Sequence, residues 1–238
     1  MCGKFTQMAS WAEVYEYANL LGAKDNDEVR TFTPMRGVPV VHLNEQGDRI
    51  VTVMGWGFTD RKPDQKKRLV KNMHARGETV DRLPTWIDAF RHRRGITFAN
   101  SFNEAEEIAT QFDDGAPTGK TWKRQWVNKR KDGKPIILGV IFDVFDVGNG
   151  PEYEFAQVTT PANAVIGRIT DRMPLVMDES DIELWLGELR APIEEVKALI
   201  RTYEFDPADW DSAPEDLTKK PPVSRKPKKG ETDKPRLF

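Results

Sequence analysis

The sequence predicts an α+β fold in which a largely antiparallel sheet or open barrel is flanked by helices. Strand-like segments fill the middle of the chain, and the longer helical patterns lie towards its two ends. This segregation favours α+β over an alternating α/β architecture because parallel sheets need a helix between successive strands. We find no internal repeat.

The strand predictions come from apolar, β-branched runs bounded by turn residues. Residues 38–43 and 49–54 surround a glycine turn at Gly47 and predict a hairpin. Residues 96–102 predict one buried strand, and residues 136–147 and 153–160 predict two more. The polar stretch 103–133 predicts an insertion or a long hairpin connection, and 59–71 predicts a loop.

Helical spacing appears in four segments. A helix is predicted after Ser10, which can cap it, and it would end at Gly22. A short helix is predicted over 83–92, and two more over 178–189 and 191–203, the last with Pro192 in its first turn. The apolar cluster around Trp185 is most simply core.

The length and composition of the chain are typical of a single-domain protein without a membrane span. The 238 residues suit one large domain with a tail, and we predict a domain over 2–225 and a disordered basic tail over 226–238. The net charge is −2, but residues 219–238 sum to +6, so any nucleic-acid contact must be local. No apolar run reaches the length of a membrane span, and no signal peptide is evident, so we expect a cytoplasmic monomer.

Cys2 is the only cysteine, which excludes an internal disulfide and a cysteine-rich zinc site. We predict no metal and no cofactor. Removal of Met1 would leave a free α-amine and a thiol on one residue, with reference pKa values of about 7.7–8.0 and about 8.5. Such a 1,2-aminothiol can condense with an aldehyde to a thiazolidine, or its thiolate can attack an acyl group. Chance placement of a buried cysteine is the alternative.

Five short segments in order resemble one known family. They are Met1-Cys-Gly-Lys-Phe5, His74-Ala-Arg-Gly-Glu-Thr79, Phe98-Ala-Asn-Ser-Phe-Asn-Glu104, Ile169-Thr-Asp-Arg-Met-Pro174 and Pro222-Val-Ser-Arg225. Together they resemble the SRAP (SOS response-associated peptidase) family over about residues 2–225. The resemblance implies a central open-barrel sheet and a basic cleft for single-stranded DNA. It also implies that Cys2 captures the aldehyde of an abasic site as a thiazolidine crosslink.

The resemblance also assigns the catalytic positions. Glu104 falls on the family's active-site glutamate and is expected to hold the Cys2 amine and to move protons. His74 stands where the family has asparagine, and Thr170 stands where it has a catalytic histidine. We therefore expect crosslinking to survive, with strand cleavage or reversal weakened. His74 is a candidate to supply the missing imidazole.

The DNA-binding positions are cationic. Lys4 replaces a family arginine, and Arg76 and Arg172 match family arginines. The family's second tryptophan after Trp56-Gly57 is missing, which would reduce base stacking. Basic residues of the predicted loop could offset this loss by contacting phosphates, namely Lys67, Arg68 and Lys71.

Two other functions remain open at this point. The departures at His74 and Thr170 are compatible with a diverged member that binds DNA or a protein without chemistry. A thiol peptidase using Cys2 is the third possibility, with His74 as the only plausible base. An aldehyde-bearing DNA separates the first function from the others, and a Cys2→Ala variant separates chemistry from binding.

Overall fold

The computed structural model describes residues 3–7, 30–59, 71–146 and 150–225. Fifteen strands are defined in this part of the chain. They are β1 (Lys4–Gln7), β2 (Arg30–Phe32), β3 (Gly37–Leu43), β4 (Arg49–Trp56), β5 (Phe58–Thr59), β6 (Lys71–Asn72), β7 (His74–Arg76), β8 (Arg94–Ala99), β9 (Ser101–Gln111), β10 (Pro117–Arg130), β11 (Ile136–Asp146), β12 (Pro151–Pro161), β13 (Arg172–Pro174), β14 (Val176–Met177) and β15 (Trp210–Pro214). The helices are α1 (Ile87–His92), α2 (Ile182–Leu186) and α3 (Ile193–Ala198), with one-turn 3₁₀ helices at Ile166–Arg168 and Glu179–Asp181.

The strands form a closed barrel and a second sheet. In the barrel, β12, β4, β3, β8 and β11 pair in that order, and β11 returns to pair with β12. The second sheet has the order β15-β10-β9-β1-β2. All pairings are antiparallel except those of β12 with β4 and β7. The predicted α+β class with a mostly antiparallel, barrel-like sheet is confirmed.

Two apolar clusters bury both faces of the barrel wall. One joins the barrel to the five-stranded sheet and contains Phe5, Phe102, Trp56 and Phe155. The other joins the barrel to the helices and contains Trp185, as predicted for the core. Neighbouring residues of β11 belong to different clusters, which explains its nearly continuous apolar sequence.

Several local predictions are confirmed. The 38–43 and 49–54 runs form the β3–β4 hairpin, and Gly47 adopts a left-handed φ of 87° in its turn. The strands predicted over 136–147 and 153–160 are β11 and β12. The predicted helix after Ser10 and the tail 226–238 lie outside the described residues, as do residues 60–70 of the predicted loop.

Three other local predictions, for the 96–102 strand, the 103–133 segment and the helix lengths, differ from the structure. Residues 96–102 do not form one strand: β8 ends at Ala99 and β9 begins at Ser101, so the chain passes from the barrel to the second sheet there. The polar stretch 103–133 is mainly two long paired strands, β9 and β10, whose polarity reflects extensive exposure. The three predicted helices that fall within the described residues are shorter than expected, and α2 stops because Gly187 is left-handed at φ 99°.

No described helix has the length and apolar character needed to cross a membrane.

Candidate functional site

The pairing of β1 with β9 brings the start of the chain to Glu104. Lys4 is the register partner of Asn103, so Gly3 arrives at the level of Glu104. Cys2 is one residue further and lies outside the described residues. The strand that follows the predicted nucleophile in sequence and the strand that carries the predicted acid–base group are therefore direct neighbours.

Glu104 is fully buried. It lies two residues after Phe102, a residue of the aromatic cluster, and its register partner on β10 is Trp126. A buried carboxylate is destabilising unless cations or hydrogen-bond donors surround it. Fully buried carboxylates are rare in proteins, so Glu104 is a candidate functional residue.

His74 contacts the same aromatic cluster. Its ring meets the ring of Trp56 edge-on, with centroids 6.1 Å apart. Trp56 in turn contacts Phe5 of β1, with centroids 5.3 Å apart. One tryptophan thus links the strand of His74 to the strand that follows Cys2.

Gln157 is a buried polar residue that the sequence reasoning missed. It is the register partner of His74 in the parallel β7–β12 pair. Its side chain is 1% exposed, and within the described part of the chain neither amide atom has a hydrogen-bond partner. The signal was present as a lone glutamine within the apolar β12 segment. An unpaired buried amide beside His74 adds to the polar character of this region.

Arg76 and Arg172 have different environments. Arg76 is exposed and, within the described residues, makes no ion pair. Arg172 is 8% exposed and donates through both terminal nitrogens to the carboxylate of Glu78, and also to the carbonyl oxygen of Thr159 at 2.8 Å. As placed, Arg172 anchors the loop after Arg76, and its guanidinium is largely enclosed.

The loop after Arg76 is held by three further contacts. The backbone N–H of Gly77 donates to Thr159 O at 2.8 Å, and Lys197 Nζ donates to Gly77 O at 2.5 Å. The backbone N–H of Thr79 donates to Arg76 O at 3.1 Å. These contacts fix the backbone that presents the exposed guanidinium of Arg76.

The anchor predicts acid sensitivity. The hydrogen bond from Arg172 lowers the pKa of Glu78 below its ordinary value of 4.5. Because the lowered pKa belongs to the folded state, this contribution to the free energy of unfolding is present above about pH 4.5 and is lost as pH falls through the lowered value. We expect Glu78→Gln to remove that part of the pH dependence, measured by urea unfolding between pH 3 and pH 7 (roughly the window set by carboxyl titration). An unchanged pH profile in this variant would contradict the anchor.

Two of the remaining predicted DNA-binding residues form ion pairs with carboxylates of this chain. Lys4 Nζ bonds the carboxylate of Glu215, and Lys71 Nζ donates to Glu154 Oε1 at 2.6 Å. Glu154 also accepts the backbone N–H of Thr59 at 2.8 Å, so Lys71 ties β6 to the barrel. Lys67 and Arg68 lie outside the described residues.

Thr170 lies between the Ile166–Arg168 turn and β13. Its hydroxyl donates to Asp171 Oδ1 at 3.5 Å, and its backbone N–H donates to Ile166 O at 3.0 Å. The position is thus held in a compact turn beside Arg172. A threonine hydroxyl cannot replace imidazole as a base near neutral pH.

Trp56 is unsuited to the base stacking that the sequence suggested for it. Its side chain is fully buried and stacks on Phe155 with centroids 6.0 Å apart. Its indole N–H donates to Met73 O at 3.0 Å. Trp56 therefore acts as core in this fold.

The sequence model described as "SOS response associated peptidase (SRAP)" matches residues 1–219. The chain belongs to the SRAP family. Curated relatives include "abasic site processing protein YoqW" of Bacillus subtilis, 22% identical over 210 residues that cover 87% of this chain and 89% of the relative. Another is "abasic site processing protein YoaM" of the same organism, 21% identical over 210 residues, covering 87% of this chain and 88% of the relative.

Solved structures share the SRAP fold of this chain. A protein from Bordetella bronchiseptica matches with a TM-score of 0.67 and 16% identity, covering 91% of this chain and 100% of the other. A protein from Bacteroides thetaiotaomicron matches with a TM-score of 0.67 and 19% identity, covering 90% and 91%. At these low sequence identities the likeness establishes the fold alone.

Proposed function

We propose that this SRAP protein captures abasic sites in single-stranded DNA as a covalent crosslink through Cys2, after Met1 is removed. The observation that carries the proposal is the β1–β9 register, which brings Gly3, the residue after Cys2, level with the fully buried Glu104. The names of the curated relatives, which process abasic sites, supply the substrate class.

The chemistry uses the amine and the thiol of one residue. The free α-amine of Cys2 attacks the aldehyde carbon of the ring-opened abasic sugar, and loss of one water gives an imine. The thiol then adds across the carbon–nitrogen double bond, which closes a five-membered thiazolidine with no further leaving group. The net change is protein plus DNA minus one water.

Glu104 is proposed as the acid–base group of this sequence. Its carboxylate would hold the amine and move protons as the sugar opens and the water leaves. His74, whose ring contacts Trp56 edge-on, is proposed to contribute the imidazole that Thr170 lacks. We expect His74→Ala to slow sugar opening while a pre-opened small aldehyde still reacts, and equal slowing with both would contradict this role.

Arg76 is proposed as the phosphate contact nearest the lesion because it is exposed and unpaired among the described residues. Lys4, Lys71 and Arg172 start from ion pairs with carboxylates, so each would have to exchange a partner to bind phosphate. Lys67 and Arg68 remain predicted contacts.

The proposal is tested with a single-stranded oligonucleotide carrying one abasic site, resolved on a denaturing gel beside Cys2→Ala. A slowly migrating band with the natural protein alone supports covalent capture. DNA binding without that band, once removal of Met1 has been verified, would support the diverged binding function instead. Cleavage of peptide substrates without reaction on DNA would support the peptidase alternative.

Arg76→Ala is expected to weaken single-strand binding while leaving the unfolding midpoint unchanged. One lost phosphate contact should reduce the slope of log affinity against log salt by about 0.7. Anisotropy titrations over a range of salt measure both quantities. Arg36→Ala, an exposed arginine beyond this loop, is the matched control, and an equal loss of slope in both variants would contradict a specific role for Arg76.

A further inference from the structure

The β9–β10 ribbon carries a row of side chains that starts at Glu104. In the antiparallel register Trp126 pairs with Glu104, Arg124 pairs with Glu106, and Trp122 pairs with Ile108. Alternate residues of a strand share a face, and register partners share it across the pair. Trp126, Arg124 and Trp122 therefore line one face of β10, and we call them the tryptophan row.

Contacts within the ribbon hold this row in place. The indole N–H of Trp126 donates to Glu106 Oε2 at 2.9 Å, and Arg124 lies 3.7 Å from the same oxygen. The guanidinium carbon of Arg124 lies 5.8 Å from the ring centre of Trp122, within cation–π range. Glu106 and Arg124 thus order the two indoles before any ligand binds.

The two indoles are only partly buried, and neither belongs to the apolar clusters of the core. The exposed part of each ring is therefore accessible to a ligand. At about 3.4 Å per residue the four-residue step from Trp126 to Trp122 spans about 14 Å. That length equals about four stacked base steps of 3.4 Å.

The charge of β10 matches a polyanion. The strand contains five basic residues and no acidic one. Lys120 is exposed and, within the described residues, forms no ion pair, and Lys123 faces solvent with only a 3.7 Å pairing to Glu107. Aromatic side chains interleaved with cations are typical of surfaces that bind single-stranded nucleic acid.

We propose that the tryptophan row is a stacking platform for the unpaired bases next to the lesion. This inference rests on the proposed function, because the platform lies next to the lesion only if Glu104, the register partner of Trp126, belongs to the active site. The two partly exposed indoles would then provide the base stacking that the buried Trp56 cannot provide. The ligand is single-stranded DNA in which the nucleotides on one side of the abasic site still carry their bases.

The test compares two labelled strands that differ only in their bases. One is an oligothymidine. The other carries the tetrahydrofuran abasic analogue in place of every nucleoside, so it keeps the phosphates but offers no aromatic base and no aldehyde. The full chain and Trp122→Leu are titrated with both strands by fluorescence anisotropy. We expect Trp122→Leu to bind the oligothymidine about tenfold more weakly and the base-free strand equally well. Trp122→Phe should recover much of the lost affinity.

Lys123→Gln is the matched control, because Lys123 lies on the opposite face of the same strand. This substitution removes one positive charge and no aromatic ring, so any change in affinity should be the same for both strands. Equal affinity of Trp122→Leu and the natural protein for oligothymidine, or an equal loss on both strands, would overturn the platform. Crosslinking of an abasic oligonucleotide at saturating protein is measured in parallel. Its absence in the natural protein, with base discrimination intact, would overturn the proposed chemistry and leave the platform standing.

Discussion

Glu104→Gln is expected to slow formation of the DNA crosslink about 10²- to 10⁴-fold, the usual contribution of a positioned acid–base group. The amide keeps the shape of the carboxylate but cannot accept and return a proton. Because Glu104 is fully buried, removing its charge should leave the free energy of unfolding unchanged or raise it. Single-turnover crosslinking and urea unfolding of the same preparation measure the two effects.

Glu107→Gln supplies the control for this variant. Glu107 lies three residues further along β9, its side chain is 59% exposed, and its ion pair with Lys123 is 3.7 Å long. Its replacement should leave both crosslinking and unfolding within error, since exposed pairs contribute little to stability. Crosslinking by Glu104→Gln at the natural rate would remove Glu104 from the mechanism.

Gly77→Ala is expected to lower the free energy of unfolding by about 3 kcal/mol, the upper end of the range for overpacking. A β-carbon at this position would lie 2.2 Å from Ile200 Cγ2 and 3.1 Å from the backbone oxygen of Thr159. The loop cannot simply withdraw, because the N–H of Gly77 bonds that same oxygen. Urea unfolding measures the loss, and single-strand affinity should fall with it because Arg76 is the adjacent residue.

Gly167→Ala is the matched substitution for Gly77→Ala. No atom outside its neighbours lies within 4 Å of a β-carbon built at Gly167, so the change should stay within about 0.5 kcal/mol. A similar loss in both variants would mean that the effect of Gly77→Ala is general to glycine replacement. It would then say nothing about the packing of the Arg76 loop.

Much of the fold follows from local sequence signals. The β3–β4 hairpin is predictable because two β-branched runs surround a glycine turn. The strand β11 is predictable from its long apolar run, and β12 from its aromatic and β-branched residues. The break between β8 and β9 is not predictable from 96–102, because both strands are apolar and the change of sheet depends on tertiary pairing. The paired strands β9 and β10 were not predicted because their sequence is polar. That polarity results from the exposure of the outer part of the ribbon.

Matching motifs located candidate site residues, but it could not show the contacts that decide the environment of each one. The positions of Cys2, Glu104 and Arg76 came from short motifs, and β1 and β9 do place Gly3 and Glu104 at one level. The pairing of Arg172 with Glu78 joins residues 94 positions apart, which no local pattern reveals. The tryptophan row required the β9–β10 register, since Trp122 and Trp126 lie 18 and 22 residues from Glu104 in sequence.

The most direct test of the proposed chemistry is the intact mass of the protein after reaction with an abasic single strand. We predict one adduct whose mass equals the protein without Met1 plus the oligonucleotide minus one water, formed without added reductant and absent in Cys2→Ala. A persistent absence of adduct from protein that has lost Met1, or an adduct that also forms with Cys2→Ala, would contradict capture by Cys2.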